Sequence, residues 1–435
     1  MQGLVGHLVD RLPHGRRSDG DLAAGIVALD IGTEFAKALV VTAEPGQDGV
    51  LTGVVRGVGR RRQGLTHMQS GTVSDIDAVV ENCARALDDA RSMAGIRARS
   101  AVIGIAGELV KGTTSALAAR RDDPRRPLDE PELEHVVERV QEDALREAEQ
   151  RIGWESGIER LDVRLVHAAI VEMKIDGYPV SNPIGFTGSH LELAIFNAFA
   201  PMVHLGALQS IAAALDLALM GVIAEPYAVA TCLAPRELGD SGAVFIDVGG
   251  GTTDVALVRH GGIAGTKMLA LGGRAFTKGL AERFDLPFDR AEALKLAVAD
   301  GESLPEASVP AAELEAALQA DAAVWLDGVD LMIGDLAEGE LLPGRVYLCG
   351  GGARLPQVGT ALAGDDWWRR LPFARRPAVR ALAPEDVAGL RDETGLLASR
   401  QDVTPMALAH QALILDAQTS AVDRAMRTAV RAMDL

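Results

Sequence analysis

Two apolar runs flank a glycine-rich polar tip in the middle of the chain. Ala243–Ile246 and Val255–Val258 are rich in β-branched residues, and between them lie Asp247, three glycines, two threonines and a second aspartate. This pattern predicts a β-hairpin with a functional turn, because consecutive glycines let a ligand approach bare backbone N–H groups. Hydroxyl and carboxylate groups beside such a turn suit phosphate oxygens and a hydrated cation. A flexible hairpin with an incidental acid is the simpler alternative.

A similar pattern stands near the start of the chain. Ile26–Leu29 precedes a turn of sequence Asp30-Ile31-Gly32-Thr33, and Ala38–Val41 supplies the return strand. Lys37 follows this turn, where its ammonium group would reach a phosphate as a point charge. A third glycine loop, Gly350–Gly352, follows another short apolar strand late in the chain. Glycine-rich turns of this kind therefore occur three times along the chain.

Patterns of helix and strand surround these loops. Ser74-Asp75 caps a helix that has one apolar face and runs to about Ala94, and a buried strand follows at residues 101–106. The same reasoning predicts the other main elements: a helix from Pro131, strands over 161–173 and 190–197, a helix, strand and second helix over 202–235, a helix from 272 and a long helix over 311–336.

Glu225 falls at the predicted junction of the strand and the second helix in the 202–235 region. A carboxylate at such a rigid corner can position a water molecule. The alternative is an ordinary acid in the first turn of a helix, which the helix dipole favours without any catalytic role. The residues alone leave both interpretations open.

The composition describes a folded protein of more than one domain. The chain has 435 residues, of which 48% are hydrophobic and 4% aromatic, so that Ala, Val and Leu supply most of the core. This length suits about two to four domains. Cys83, Cys232 and Cys349 lie far apart among apolar residues, which favours buried thiols in a reducing cytoplasm over a disulfide or a metal site.

The charge and the two ends of the chain narrow the choice of partners. A formal net charge of −18 argues against a nucleic-acid-binding surface. We expect neither a signal peptide nor a membrane-spanning segment, because the sequence shows no such leader pattern and no apolar run of about 18 residues. Amphipathic patterns occur within residues 1–23 and 421–435, and each segment would either touch a membrane surface or pack on the protein; the second could instead bind a partner.

The order of the three glycine loops resembles the actin/Hsp70/sugar-kinase ATPase superfamily. An inserted region narrows the resemblance to one family. It is similar to the 1C subdomain of FtsA, the bacterial actin homologue of cell division, in its helix, its two strands and the turn between them. That turn contains Asp176-Gly177 and Asn182-Pro183-Ile184-Gly185. PilM of type IV pilus assembly is similar more loosely. Residues 62–75 also resemble the first subdomain of FtsA, and the likeness extends from Gly25 to Ala417. An unrelated α+β insertion in another ATPase is the alternative.

This resemblance implies an α/β, actin-like ATPase fold, in which two duplicated ribonuclease-H-like halves surround a nucleotide cleft and carry an inserted α+β 1C (SHS2-like) subdomain. The implied division is an N-terminal extension (1–23), subdomain 1A (24–106 and 202–241), subdomain 1C (107–201), subdomain 2A (242–283 and 314–417), a reduced subdomain 2B (284–313) and a C-terminal amphipathic helix (418–435).

The resemblance also implies a site for ATP and Mg²⁺. Asp30 and Asp247 would hold the metal, largely through water, and together with Glu225, which would orient the attacking water, they form the implied catalytic set. The implied activity is a slow Mg-dependent ATPase. The residues expected to bind the nucleotide are Gly32, Thr33, Lys37, Gly249, Gly250, Gly251, Thr252, Thr253, Gly273, Lys278, Glu282, Gly350, Gly351, Gly352 and Arg354.

The implied function is that of an FtsA-like cell-division protein, a membrane-associated scaffold or filament former that assists assembly of the division ring. A PilM-like cytoplasmic adaptor of pilus assembly is the alternative, and a metabolic kinase or chaperone comes after both, since no sugar pocket or substrate-binding domain is evident. The expected partners are other copies of the chain, in filaments or dimers, and a membrane surface. Docking of the tubulin homologue FtsZ stays open, because residues 284–313 are short for the 2B subdomain that receives it. The expected location is the cytoplasm, including the inner face of the cell membrane.

Overall fold

Two β-sheets with helices packed against them form the framework of the protein. The computed structural model describes residues 25–45, 51–157, 161–233, 238, 242–259, 261–303, 309–417, 422 and 426. The strands are β1 (Ile26–Ile31), β2 (Phe35–Pro45), β3 (Leu51–Arg62), β4 (Met68–Gln69), β5 (Thr72–Val73), β6 (Ser100–Ile105), β7 (Lys111–Arg120), β8 (Val163–Ile175), β9 (Tyr178–Pro179), β10 (His190–Pro201), β11 (Ala218–Ala224), β12 (Ala243–Val248), β13 (Thr253–Arg259), β14 (Gly262–Leu269), β15 (Arg345–Cys349), β16 (Ala378–Ala381) and β17 (Leu390–Asp392).

Helices connect and cover these strands. The α-helices are α1 (Ile76–Ala94), α2 (Glu130–Ser156), α3 (Met202–Ala214), α4 (Glu225–Ala230), α5 (Gly273–Phe284), α6 (Phe288–Asp300), α7 (Ala311–Ala337), α8 (Pro356–Ala363) and α9 (Val403–Ala417). Short 3₁₀ turns lie at Gly352–Arg354, Trp368–Arg370, Pro384–Asp386 and Arg400–Asp402.

The two sheets repeat one topology. The first has the order β11-β6-β1-β2-β3-β17, in which β11, β6 and β1 are parallel while β1, β2 and β3 pair antiparallel. The second contains β16-β15-β12-β13-β14 with the same senses in the same order. In each half, therefore, an N-terminal hairpin extends into a third antiparallel strand, and later strands add in parallel on its other side. This duplication confirms the predicted fold class of two related halves.

The inserted region extends the second sheet. Strands β7, β10, β8 and β9 continue the order after β14 and give nine strands in total. The junction is short: among the described residues, β14 pairs with β7 at Gly265–Thr113 and Thr266–Gly112, and the Thr114 hydroxyl donates to Ile263 C=O beside them. The insertion thus lies within the first half along the chain, between β6 and β11, but joins its sheet to that of the second half.

The main elements agree with the sequence pattern. The Asp75 side chain accepts a hydrogen bond from the backbone N–H of Ala78 and caps α1, which ends at Gly95 in the left-handed conformation (φ 65°). Helix α7, Ala311–Ala337, matches its predicted bounds to within one residue. Strand β7 is not among the predicted elements.

The largest apolar cluster lies beneath the meeting point of the halves. It joins residues of β1, β2 and β6 to residues of β12 and β13. Helix α9 packs on β1, β2, β6 and α4 in this region. A second cluster lies between the other face of β12–β13 and helices α5 and α7. The base of the cleft is therefore a continuous buried core.

Two residues of the C-terminal segment are described. Val422 and Met426 are helical and buried, and they belong to an apolar cluster with Leu133, Val137 and Leu193 of the inserted region. These two positions agree with the alternative in which the segment packs on the protein. The predicted N-terminal amphipathic segment, residues 1–23, lies outside the described residues. No helix among the described residues is both long and apolar enough to cross a bilayer.

Candidate functional site

The turn between β1 and β2 brings Asp30 and Lys37 together. The two residues are cross-strand partners, and Lys37 Nζ lies 3.0 Å from Asp30 Oδ2. The same ammonium group donates to the backbone carbonyl of Gln401 at 2.7 Å. Gly32 N–H donates to Phe35 C=O at 3.0 Å and tightens the turn. Lys37 therefore neutralises buried Asp30 and connects the first hairpin to the loop before α9.

The second hairpin places two carboxylates side by side. Asp247 and Asp254 are direct cross-strand partners, and both are buried. Paired residues of an antiparallel ladder project to the same face, so like charges here repel. The Thr404 hydroxyl donates to Asp247 Oδ2. Asp254 Oδ1 is buried and has no hydrogen-bond partner in the described part of the chain.

The tips of the two hairpins touch. A Cβ added at Gly251 would lie 2.6 Å from Thr33 Oγ1, and one added at Gly250 would lie 2.6 Å from Glu34 Cγ. Only glycine permits this approach. The turn itself is closed by Gly249 N–H, which donates to Thr252 C=O at 2.9 Å. The structure therefore brings the two predicted phosphate loops face to face.

Glu225 occupies the base of this meeting point. It is the first residue of α4 and directly follows β11, as the sequence predicts. A Cβ at Gly104, on neighbouring β6, would lie 2.5 Å from Glu225 Oε1, so the carboxyl group fills the space that the glycine leaves. The side chain is fully enclosed rather than a surface acid at a helix start.

The electrostatics of the site disfavour charged acids. Burial, followed by the negative charges of Asp30, Asp254 and Asp247, raises the pKa of Glu225 well above its usual range, against the opposing effect of Lys37. Burial raises the pKa of Asp247, although the Thr404 hydroxyl and Lys37 oppose the shift. The pKa of Asp254 is also well above its usual range because of burial and Asp247.

Lys37 acts on Asp30, Glu225 and Asp247, whereas Asp254 interacts with Asp247. In the described part of the chain, positive charge therefore compensates these four buried carboxyl groups incompletely. The orphaned oxygen of Asp254 and the buried acids fit a divalent cation, whose binding would favour their ionised forms. Among the described residues, no three His, Cys, Asp or Glu side chains are placed to ligate one metal together. Mg²⁺ usually takes one or two carboxylates and completes its shell with water and phosphate.

The third glycine loop packs against the second hairpin. Gly350 has φ 90°, and a Cβ there would lie 2.2 Å from Asp247 Oδ1; a Cβ at Gly352 would lie 2.5 Å from Val248 Cγ1. For Gly351 the nearest atom would be Gln401 Cβ at 3.8 Å, so this position is more open. Glycine is therefore required by fit at two of the three positions.

Thr252 and Thr253, in the second hairpin, differ in how their polar groups are used. Thr252 is buried, and its carbonyl closes the turn. The Thr253 hydroxyl donates to Leu271 C=O at 2.6 Å and accepts from Trp325 Nε1 at 2.9 Å. These contacts commit that hydroxyl to the packing of α7, so a nucleotide contact by Thr253 stays a prediction.

The residues predicted on the nucleoside side lie along α5 and beyond it. Gly273 N–H donates to Gly249 C=O at 2.8 Å, which joins the start of α5 to the second hairpin. Lys278 and Glu282 form an exposed pair with Nζ and Oε1 3.7 Å apart. Arg354 forms an ion pair with Asp300 of α6. Of these, only Gly273 directly contacts the hairpin tips in the structure, and the roles of the others stay predictions.

Three site residues carry no predicted role in the sequence. Asp254 belongs to the glycine-rich tip, and its spacing from Asp247 in a hairpin could have indicated the pairing. Thr404 and Arg274 give no such local signal, because each meets the site across long stretches of chain. Arg274 N–H donates to Gly250 C=O at 2.8 Å, and its side chain contacts Glu34.

Sequence comparisons point to one family. Residues 244–387 match the family model described as "Cell division protein FtsA". The FtsA of Pseudomonas aeruginosa is 30% identical over 274 residues, which are 62% of this chain and 60% of that protein. The FtsA of Escherichia coli is 27% identical over 282 residues, with 62% and 60% covered. The matched region thus spans about 60% of the length of these relatives.

Structural comparison supports the fold independently. A chain of the "PilM-PilN type IV pilus biogenesis complex" is similar with a TM-score of 0.60 and 17% identity, covering 91% of this chain and 99% of that one. At this identity the similarity speaks for the fold alone. The sequence matches and the duplicated sheet topology agree with the resemblance inferred from the motifs: the chain is similar in sequence to FtsA cell-division proteins over about 60% of their length, and its fold is similar to that of the PilM chain.

Proposed function

We propose that the chain binds Mg-ATP between its two hairpins and acts as a cell-division protein of the FtsA kind. The contact between the glycine tip of the second hairpin and Thr33 carries this proposal, because it places two phosphate-type loops over four buried carboxyl groups. Such a cluster is costly to a protein that never binds a cation there.

The loops supply the groups that a triphosphate needs. Backbone N–H groups of Gly250 and Gly251 and the Thr33 hydroxyl would donate to phosphate oxygens, whereas the Gly249 N–H closes its own turn. Asp30 and Asp247 would hold Mg²⁺, largely through water, with Asp254 next to Asp247 on the facing strand. The bound metal would supply positive charge for the phosphates and the acids together. Gly350–Gly352 would let the adenosine lie against backbone.

Glu225 is the residue that would orient the attacking water. Burial raises its pKa well above the usual range, and a bound cation would favour the ionised form that can accept a proton from water. The resemblance to FtsA implies slow hydrolysis, so that the nucleotide would act as much as a signal as a substrate. The two halves, divided into subdomains as the family resemblance implies, would change their angle with the state of the nucleotide.

The wider role follows from FtsA and rests on the same proposal. The chain would act as a scaffold or filament former at the division ring, on the cytoplasmic side of the cell membrane. Its partners would be other copies of itself, a membrane surface contacted through a terminal segment, and an FtsZ-like protein if the short 284–313 region can receive one.

Nucleotide binding is tested with Asp247→Ala in isothermal titration calorimetry. The variant should lose Mg-ATP binding yet remain folded, because removing one buried carboxylate relieves repulsion with Asp254. Asp143→Ala, at an exposed site on α2, is the matched control and should bind like the parent chain. Equal affinity in the two variants would refute the site.

The cellular role is tested by position. A fluorescent fusion should form a band at midcell, and the purified chain with Mg-ATP should sediment with liposomes or as filaments. A spot at the cell pole and a soluble monomer would instead favour the pilus adaptor, and would reject the division role while leaving the nucleotide site intact.

A further inference from the structure

Arg274, the second residue of α5, joins the two halves of the molecule at the hairpin tips. Its guanidinium group forms an ion pair with Glu34 through Nε. Nη2 donates to Thr33 C=O at 2.9 Å. Nη1 donates to the carbonyls of Leu65 and Met68, each at 3.2 Å. Every one of these acceptors belongs to the first half, whereas Arg274 belongs to the second.

The backbone of the same residue is tied to the other loop. Arg274 N–H donates to Gly250 C=O at 2.8 Å. Arg274 is therefore bonded to the tip of the second hairpin through its main chain and to the tip of the first through its side chain. Its planar, fixed set of donors suits this task, because one guanidinium can satisfy several acceptors in a defined geometry.

A second arginine reinforces the contact from the first half. Arg62 Nη2 lies 3.6 Å from Glu34 Oε2 and 4.0 Å from Glu292 Oε1, and Glu292 pairs with Lys295 at 2.7 Å. Charges of alternating sign therefore run from α5 and α6 across to the first hairpin. Arg62 is half exposed, so its pairs are weaker than the enclosed Arg274–Glu34 pair.

We propose that Arg274 is a positioning residue that latches the two hairpins together and limits the exit of nucleotide. This inference rests on the proposed nucleotide site between those hairpins. Neither Arg274 nor Glu34 belongs to the apolar clusters, so the latch can open at the hairpin tips while the buried core beneath them stays intact. Loss of the latch should then act on the spacing of the hairpins and on the rate of nucleotide release.

The release rate is measured by chasing a fluorescent N-methylanthraniloyl-ADP with unlabelled Mg-ADP. Arg274→Ala should release the probe about tenfold faster, the change expected for one lost charge-assisted set of bonds. Arg274→Lys should be intermediate, because it keeps the charge but cannot reach four acceptors. Arg283→Ala, an exposed position on the same helix, is the matched control and should release like the parent chain. Added salt should speed release from the parent more than from Arg274→Ala.

A second measurement needs no nucleotide. Spin labels at Asp88→Cys on α1 and Ala320→Cys on α7, both exposed positions, report the distance between the halves. Arg274→Ala, or Arg274→Lys if the alanine variant does not fold, should broaden this distance distribution. An unchanged distribution together with an unchanged release rate would overturn the latch. If the parent chain binds no nucleotide, the proposed function fails, and the spin-label distances alone decide the latch.

Discussion

Gly251→Ala is the sharpest test of the contact between the hairpins, because it adds a single methyl group at their closest approach. That methyl would lie 2.6 Å from Thr33 Oγ1 and 3.0 Å from Thr33 Cγ2. The backbone of Gly251 is not among those with positive φ, so alanine can adopt its conformation. The substitution therefore tests steric fit alone.

The size of the effect follows from these distances. Ordinary contact begins at 3.4 Å, so the tips must separate by about 0.8 Å, the difference between 3.4 and 2.6 Å. A displacement of about 1 Å in a positioned site can cost on the order of 100-fold. We expect Mg-ATP affinity to fall about 10- to 100-fold. The free energy of unfolding should fall by about 1 kcal/mol, at the low end for overpacking, because the tips can part without disturbing either core.

Calorimetric titration and urea unfolding measure the two quantities on the same samples. Gly206→Ala on α3 is the matched control, since a Cβ there meets nothing within 4 Å. It should bind like the parent chain and gain about 0.5–1 kcal/mol from helix propensity. Unchanged affinity in a folded Gly251→Ala variant would show that the hairpins do not meet in solution.

Three further predictions concern protonation and packing. The raised pKa values of Asp247 and Asp254 favour protonated acids, whereas a cation needs them ionised. Mg-ATP affinity should therefore rise with pH, and binding should release protons. Calorimetry in buffers of different ionisation enthalpy measures this release, and pH-independent binding would contradict the prediction. Burial lowers the pKa of His410 to about 4 from 6.5, so the stability that its neutral form contributes is complete above pH 6.5 and is lost as pH falls towards 4. Between about pH 7 and about pH 5, the free energy of unfolding of the parent chain should fall by about 2 kcal/mol more than that of His410→Gln, as measured by urea unfolding. Equal losses in the two chains would refute this prediction. Trp325→Phe removes the donor to Thr253 and should lower the unfolding free energy by about 1–3 kcal/mol, with an unchanged urea midpoint as the opposing result.

Local patterns were enough to predict the framework. Each hairpin can be recognised from an apolar run, a tip that begins Asp-x-Gly and a second apolar run. Its two strands are adjacent in the sequence and pair with each other. Helix α1 carries its own cap at Asp75 and its own stop at Gly95. These signals depend on neighbouring residues only, which is why the sequence suffices to find them.

Strand β7 shows where local reasoning fails. Its sequence, Lys111–Arg120, contains Gly, Ser and four alanines or leucines rather than β-branched apolar residues. Pairing with β10 over ten residues and with β14 at two positions holds it in the sheet. Its conformation is set by these neighbours and not by its own propensity.

The site divides in the same way. The glycines and acids of the loops could be predicted, since each lies in a local motif. The partners of those acids could not be, because Thr404 reaches Asp247 from 157 residues away and Arg274 reaches Glu34 from 240 residues away. Lys37 is an intermediate case. Its position beside the first hairpin could be predicted from the sequence, but its ion pair with Asp30 could not.

The short junction between β14 and β7 has a mechanical consequence. The inserted region enters and leaves through the first half, yet its sheet is fastened to the second by two rungs, Gly265–Thr113 and Thr266–Gly112. If one half rotates against the other, the insertion must therefore either move together with the second half or break its pairing with β14. In the first case, a small rotation at the hairpins becomes a larger displacement at the far edge of the sheet, where Tyr178 is exposed.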